Sequence, residues 1–180
     1  MYRGLQDIIE PLVKRIRVLE SREGGMSQAD LARFLSFYSY ANLLTNGSFE
    51  TGDPPDDWDS ILADTRERSS TYAKFGSYSL KLTRTDTNTY AYQGLAGYDK
   101  YKGKTLIFGI WVKSDSAYAR VHINDGDGET IGGYHTGSGD WEFLTVSRTI
   151  SDSATYVRFI AGVVNTSTAY FDGAVAYAVD

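Results

Sequence analysis

The sequence predicts a mainly β protein, an antiparallel β-sandwich over residues 41–180 preceded by short α-helices over residues 1–40. Three observations carry that prediction. The spacing of apolar residues changes once, near residue 40, from a helical repeat to strict alternation. After that point turn residues recur roughly every eight to twelve positions and no segment reads as a helix, the pattern of a sandwich of about ten short strands. Finally, a chain of 180 residues that is 42% hydrophobic and 14% aromatic can fill a core.

In the first part, Tyr2, Leu5, Ile9, Leu12, Ile16 and Leu19 recur at alternating intervals of three and four, the seam of a short coiled coil with Ile at a and Leu at d. Asp7 and Glu10 form a capping pair, which leaves Pro11 in a tolerated first turn and predicts a helix from about Ile8 to Ser21. The run "EGG" at 23–25 ends it. Ser27 and Asp30 start a second helix whose Leu31, Phe34, Leu35 and Tyr38 share a face, ending near Tyr40. Helices this short are marginal alone, so both need partners: the body of their own domain or other copies of the chain. A strict a/d stripe is narrower than the face a helix shows a globular core, which favours self-association and leaves dimer and trimer both open.

From residue 42 the stretch "NLLTNGSFETGDPPDDW" reads as a short strand, an Asn-Gly turn and a Trp that closes the end of the core. "SYSLKLT" (77–83) sets Tyr78, Leu80 and Leu82 on one face, and "TLIFGIWVK" (105–113) sets Leu106, Phe108, Ile110 and Val112 against Trp111 and Lys113. "AYARVHIN" (117–124) points Ala117, Ala119, Val121 and Ile123 inward and Tyr118, Arg120, His122 and Asn124 outward. "NDGDGE" is a hairpin turn, without the helices or span of a calcium-binding hand. "WEFLTVSRTI", "YVRFIAGVV" and "AYFDGAVAYAV" complete the sheets.

The outward row suits a sugar, whose C–H face wants an aromatic surface and whose hydroxyls want planar polar partners. If neighbouring strands bring them together in a concave sheet, Tyr90 and Tyr92 of "TNTYAYQG", Tyr134 of "IGGYH", and Tyr118, Arg120, His122 and Asn124 form a candidate carbohydrate site with Trp111 as its floor. Tyrosine pairs across strands also stabilise sheets with no ligand. Trp58 and Trp141, each opening a strand after a turn, read as structural.

Other functions fare poorly. Residues 41–180 carry twelve basic and eighteen acidic side chains, which argues against nucleic acid as a partner. The sequence holds no apolar run long enough to span a membrane and no export signal. It contains no cysteine, no Gly-x-Ser-x-Gly elbow and no phosphate-binding loop, and two histidines, His122 and His135. It reads as a non-enzyme.

The phrases "NLLTNGSFETG", "FGSYSLKLT", "YKGKTLIFGIWVKS", "GDWEFLTVSRTI" and "AYFDGAVAYAV", in this order, resemble the jelly-roll carbohydrate-binding modules grouped around families 4, 9 and 22, over roughly residues 42–180. They are also similar to domains of tailed-phage virion proteins that follow a short coiled-coil segment. The resemblance implies a jelly roll and a virion structural protein, a tail fibre or appendage or a capsid decoration, that contacts other virion proteins and touches host-surface glycans. It implies a homotrimer and assembly in the host cytoplasm into the virion. The alternative is a stand-alone carbohydrate-binding module serving a polysaccharide-degrading enzyme. The resemblance further implies a structural calcium, for which Glu50 and Asp172 stand at the matching places, although Gly173 follows where the family often has a second acid.

Overall fold

The computed structural model describes residues 42–61, 65–86 and 88–179. The two helices, their apolar stripe and the self-association expected of residues 1–40 lie outside the described residues.

Ten strands form two five-stranded antiparallel sheets. The first is ordered β1 (Asp59–Ile61), β4 (Thr89–Gly94), β9 (Arg158–Val163), β6 (Ala119–Asn124), β7 (Glu129–Tyr134). The second is ordered β2 (Thr65–Ser69), β3 (Ser79–Arg84), β10 (Ser167–Val179), β5 (Thr105–Ser114), β8 (Trp141–Thr149). Chain neighbours thus often lie in different sheets, the crossing pattern of a jelly-roll sandwich. A 3₁₀ turn, Tyr98–Tyr101, links β4 to β5. No helix among the described residues is long and apolar enough to cross a membrane.

Alternation dictates the core. Leu80 and Leu82 of β3, the four predicted inward residues of β5, and Val121 and Ile123 of β6 are fully buried with Phe159, Ala161 and Phe171. Phe108 of one sheet meets Phe159 of the other at 5.6 Å between ring centroids. Burying side chains of this size contributes roughly 1.5–3 kcal/mol each and holds the sheets face to face.

The opening stretch differs from expectation. Residues 42–58 contain no strand; Asn46, Phe49 and Asp57 all take positive φ. The segment is held by side chains that imitate a strand neighbour: Asn42 donates to the Ala174 carbonyl and accepts from the Ala176 N–H, at 3.0 and 2.8 Å. Phe49 and Trp58 are fully buried with ring centroids 5.0 Å apart, and the Trp58 indole donates to the Asn46 carbonyl, so Trp58 does close the core. A second difference is small. β6 starts at Ala119, leaving Ala117 and Tyr118 exposed in the preceding turn.

Candidate functional site

The outer face of the first sheet gathers most of the predicted site. Pairing across β4, β9, β6 and β7 sets residues in rows. Tyr90 lies opposite Gly162, Gly162 opposite Arg120, and Arg120 opposite Tyr134. The next row runs Tyr92, Ile160, His122, Ile131, and the third Gly94, Arg158, Asn124, Glu129.

Two backbone features build the first row. β7 carries a bulge between the pairs His122–Ile131 and Arg120–Tyr134. Three steps separate Ile131 from Tyr134, so strict alternation would turn Tyr134 to the core; the bulge at Gly132–Gly133 absorbs the odd residue, and Tyr134 stands outward beside Arg120. On β9, a side chain at Gly162 would place its Cβ 2.3 Å from the Tyr90 ring. Glycine there lets that ring lie across the strand and reach Arg120 on the far side.

The result is a clamp. One terminal nitrogen of Arg120 donates to the Tyr134 hydroxyl at 3.0 Å, the other to the Tyr90 hydroxyl at 3.1 Å. Tyr134 is 45% exposed, so the cluster opens to solvent. Beneath it His122 is buried, its ring edge-on to Tyr90 at 5.4 Å and its Nδ1 3.2 Å from the Glu129 carboxylate. Burial lowers its pKa from the usual value, helped by the charge of Arg120 and opposed by Glu129. The His122 Nε2 and the Arg120 Nε are buried without a partner. Further along, Arg158 lies 4.4 Å from the ring centroids of both Tyr92 and Tyr156. Beside Tyr92 the face continues into an open cavity of about 590 Å³ lined by Leu43, Thr45, Asp57, Asp59 and Tyr101 among others.

Tyr90, Tyr92, Arg120, His122, Asn124 and Tyr134 therefore share one face, while Tyr118 sits at its edge in the turn before β6. The Asn124 side-chain oxygen is engaged by the Gly126 N–H of the hairpin. Trp111 requires a correction. It lies on β5, in the opposite sheet, packed 5.3 Å from Phe143 with the Lys74 ammonium 4.2 Å above its ring, and it cannot floor this face. The reason is topological: sequence alternation tells outward from inward, not which sheet a strand joins. Arg158 and Tyr156 were missed, although alternation in "YVRFIAGVV" already set both with the outward residues.

Glu50 and Asp172 converge on the loop 74–78. Glu50 accepts from the Ser77 and Tyr78 N–H groups, both at 3.0 Å. Asp172 accepts from Lys74, Phe75 and Gly173 N–H groups at 2.7–2.8 Å. It is fully buried, and burial, with Glu50's charge adding, pushes its pKa up to about 7 against those hydrogen bonds. Among the described residues no three His, Cys, Asp or Glu side chains cluster as metal ligands. A cation here would have these two carboxylates, already engaged by backbone N–H groups, as its side-chain ligands, and carboxylate oxygens are the donors calcium prefers.

No family model and no curated protein matches the sequence. Solved structures do match. TmCBM61, solved in complex with beta-1,4-galactotriose, aligns at TM-score 0.57 and 15% identity over 76% of this chain and 98% of its own. A family 16 carbohydrate-binding module aligns at 0.59 and 21% identity, covering 76% and 99%. The CBM22-1 xylan-binding domain of Paenibacillus barcinonensis Xyn10C aligns at 0.59 and 18%, covering 78% and 96%. The fold is that of a jelly-roll carbohydrate-binding module. The enzymatically active domain of bacteriophage CBA120 tailspike protein 4 also aligns, at 0.59 and 16% identity, over 77% of this chain; this chain spans 21% of that one.

Proposed function

We propose that the protein is a non-catalytic, glycan-binding structural protein of a phage virion, a tail appendage or capsid decoration whose jelly roll meets host-surface glycans. In this reading residues 1–40 form the oligomerising or docking segment, with a trimer as the assembly, and residues 41–180 form the binding domain. The observation that carries glycan recognition is the open row Tyr90–Arg120–Tyr134, where aromatic rings and planar hydrogen-bond donors are held in one fixed arrangement. The fold supports it, and the tailspike likeness supports the virion setting. The stand-alone module serving a polysaccharide-degrading enzyme is the second reading, favoured by how fully the isolated modules are covered.

The test is a glycan array probed with the full chain. Y134A and R120A each lose binding while W111A, on the opposite sheet, retains it; loss in W111A alone would move the site to the other face. Binding to bacterial surface glycans separates the virion reading from binding to plant-type polysaccharides, which the second reading requires. A structural calcium held by Glu50 and Asp172 belongs to the same proposal. Calcium then raises the melting temperature over a chelated sample, and the rise disappears in D172N; equal melting with and without calcium would remove the ion from the reading.

A further inference from the structure

We propose, resting on the glycan-binding reading of this face, that its ligand is an anionic glycan and that Arg120 is the anchor for a sugar carboxylate. Among the described residues Arg120 has no carboxylate partner. Among the described residues its guanidinium donates to two phenol oxygens. A guanidinium has five N–H groups. Two are given to the tyrosines and Nε is buried, which leaves one N–H on each terminal nitrogen, a pair that matches the two oxygens of a carboxylate. Because Tyr90 and Tyr134 accept from Arg120, their own O–H protons are free to donate. The cluster is therefore positively charged and rich in donors. A neutral hydroxyl uses such a site poorly, since it brings one proton of its own that needs an acceptor.

The surroundings agree. Glu129, opposite Asn124 at the far end of β6, is hydrogen-bonded to His122, and Asp59 stands on the edge strand beyond Tyr92. His122 lies buried edge-on beneath Tyr90 and packs against the ring that receives one arm of the clamp. Arg158, on β9 opposite Asn124, is displaced about 13 Å along the strands and one strand across, about 14 Å from Arg120 between backbones. It too has no carboxylate partner among the described residues, so a chain with repeated acidic sugars meets two cations. Arg148, by contrast, is neutralised by Asp125.

The experiment pairs each acidic oligosaccharide with its own methyl ester, so that charge alone differs. Galacturonate, glucuronate and sialate oligomers and their esters are titrated into the full chain, with sulfate- and phosphate-esterified neutral oligomers as a second arm. The expected result is that the free acids bind roughly 10- to 100-fold more tightly than their esters, the gain of a charge-assisted pair. R120Q erases that ratio while leaving the melting temperature near that of the parent, and R120K, which keeps the charge but not the fork, restores part of it. Y134F, which keeps the ring and loses the hydroxyl, lowers acid binding more than ester binding. Esters that bind as well as the acids would overturn the anionic ligand and leave the glycan face standing. Preference for sulfate or phosphate esters over carboxylates would overturn the carboxylate assignment. Failure of every oligosaccharide would overturn both readings together.

Discussion

Gly162 and Asp125 show how much a single position decides here. Gly162 contributes no side chain, yet the Tyr90 ring occupies the space its Cβ would need. G162A would push that ring off β9 and away from Arg120. We expect glycan affinity to fall about tenfold or more, with a stability cost of about 1–3 kcal/mol for the overpacking, measured by titration calorimetry and thermal melting. Asp125 is buried and accepts two hydrogen bonds from Arg148, at 2.8 and 2.9 Å, plus N–H bonds from Gly128 and Ser151. It ties the β6–β7 hairpin to β8 and to the loop before β9. Burial would raise its pKa, but the Arg148 pair and the backbone donors outweigh burial and hold it down at about 2. The folded carboxyl is thus more acidic than the unfolded one. Its contribution to stability is whole above about pH 4 and is lost as pH falls through 2. D125N, which leaves Arg148 unpaired, should cost about 3 kcal/mol or more at neutral pH and flatten the acid limb of the melting profile between pH 4 and 2. The sequence identified "NDGDGE" as a turn because turn chemistry is local. It did not identify the role of Asp125, whose partner lies 23 residues away.

At the scale of elements, alternation was read from the residues with little loss. The four predicted residues of β5 are all buried, because a strand buried on one face must repeat every second residue; Gly109 and Ser114 are buried as well, Gly109 off the alternation beneath the Phe143 ring. Local pattern failed where backbone conformation departs from it. Nothing in "NGSFE" announces that Phe49 takes φ 57, since tertiary packing around a fully buried ring imposes it. The bulge in β7 is equally silent, and "IGGYH" read with strict period two gives the wrong face for one of Gly132 and Tyr134. This leads to a prediction with an unusual sign. At Gly133 an added Cβ would meet nothing within 4 Å, so G133A should bind and fold like the parent. Deleting Gly133 tests the register more directly. It removes the extra residue, so Tyr134 falls two positions after Ile131 and simple period two keeps it outward, opposite Arg120. Binding should be retained, and exposure of the Tyr134 phenol, read by its ultraviolet difference spectrum, should stay that of the parent. A deletion variant that loses binding would show that the local twist of the bulge, and not register alone, aims the clamp.

For the whole molecule, what the residues could not convey was strand neighbourhood: Trp111 and Tyr90 both read as outward, and only the order of strands puts them on opposite sides. Charge adds a constraint at this scale. The protein is net −5, and a single clamp on an acidic body attracts an anionic polymer weakly at a distance. Affinity for an acidic glycan then has to come from contact and from multiplicity. On the proposed reading the stripe of Leu5, Ile9, Leu12, Ile16 and Leu19 would supply the multiplicity, because copies joined by a short stalk convert later binding events into intramolecular ones and gain about 100- to 10,000-fold in avidity. The prediction is that light scattering gives three times the chain mass for the full protein and one chain mass for a variant beginning at Ala41. On a glycan surface the two should share the same single-site constant, while the full protein dissociates at least about a hundredfold more slowly. Two monomers would retire the stalk. A trimer that survives truncation would place assembly in the jelly roll, and the slow dissociation would then persist without residues 1–40.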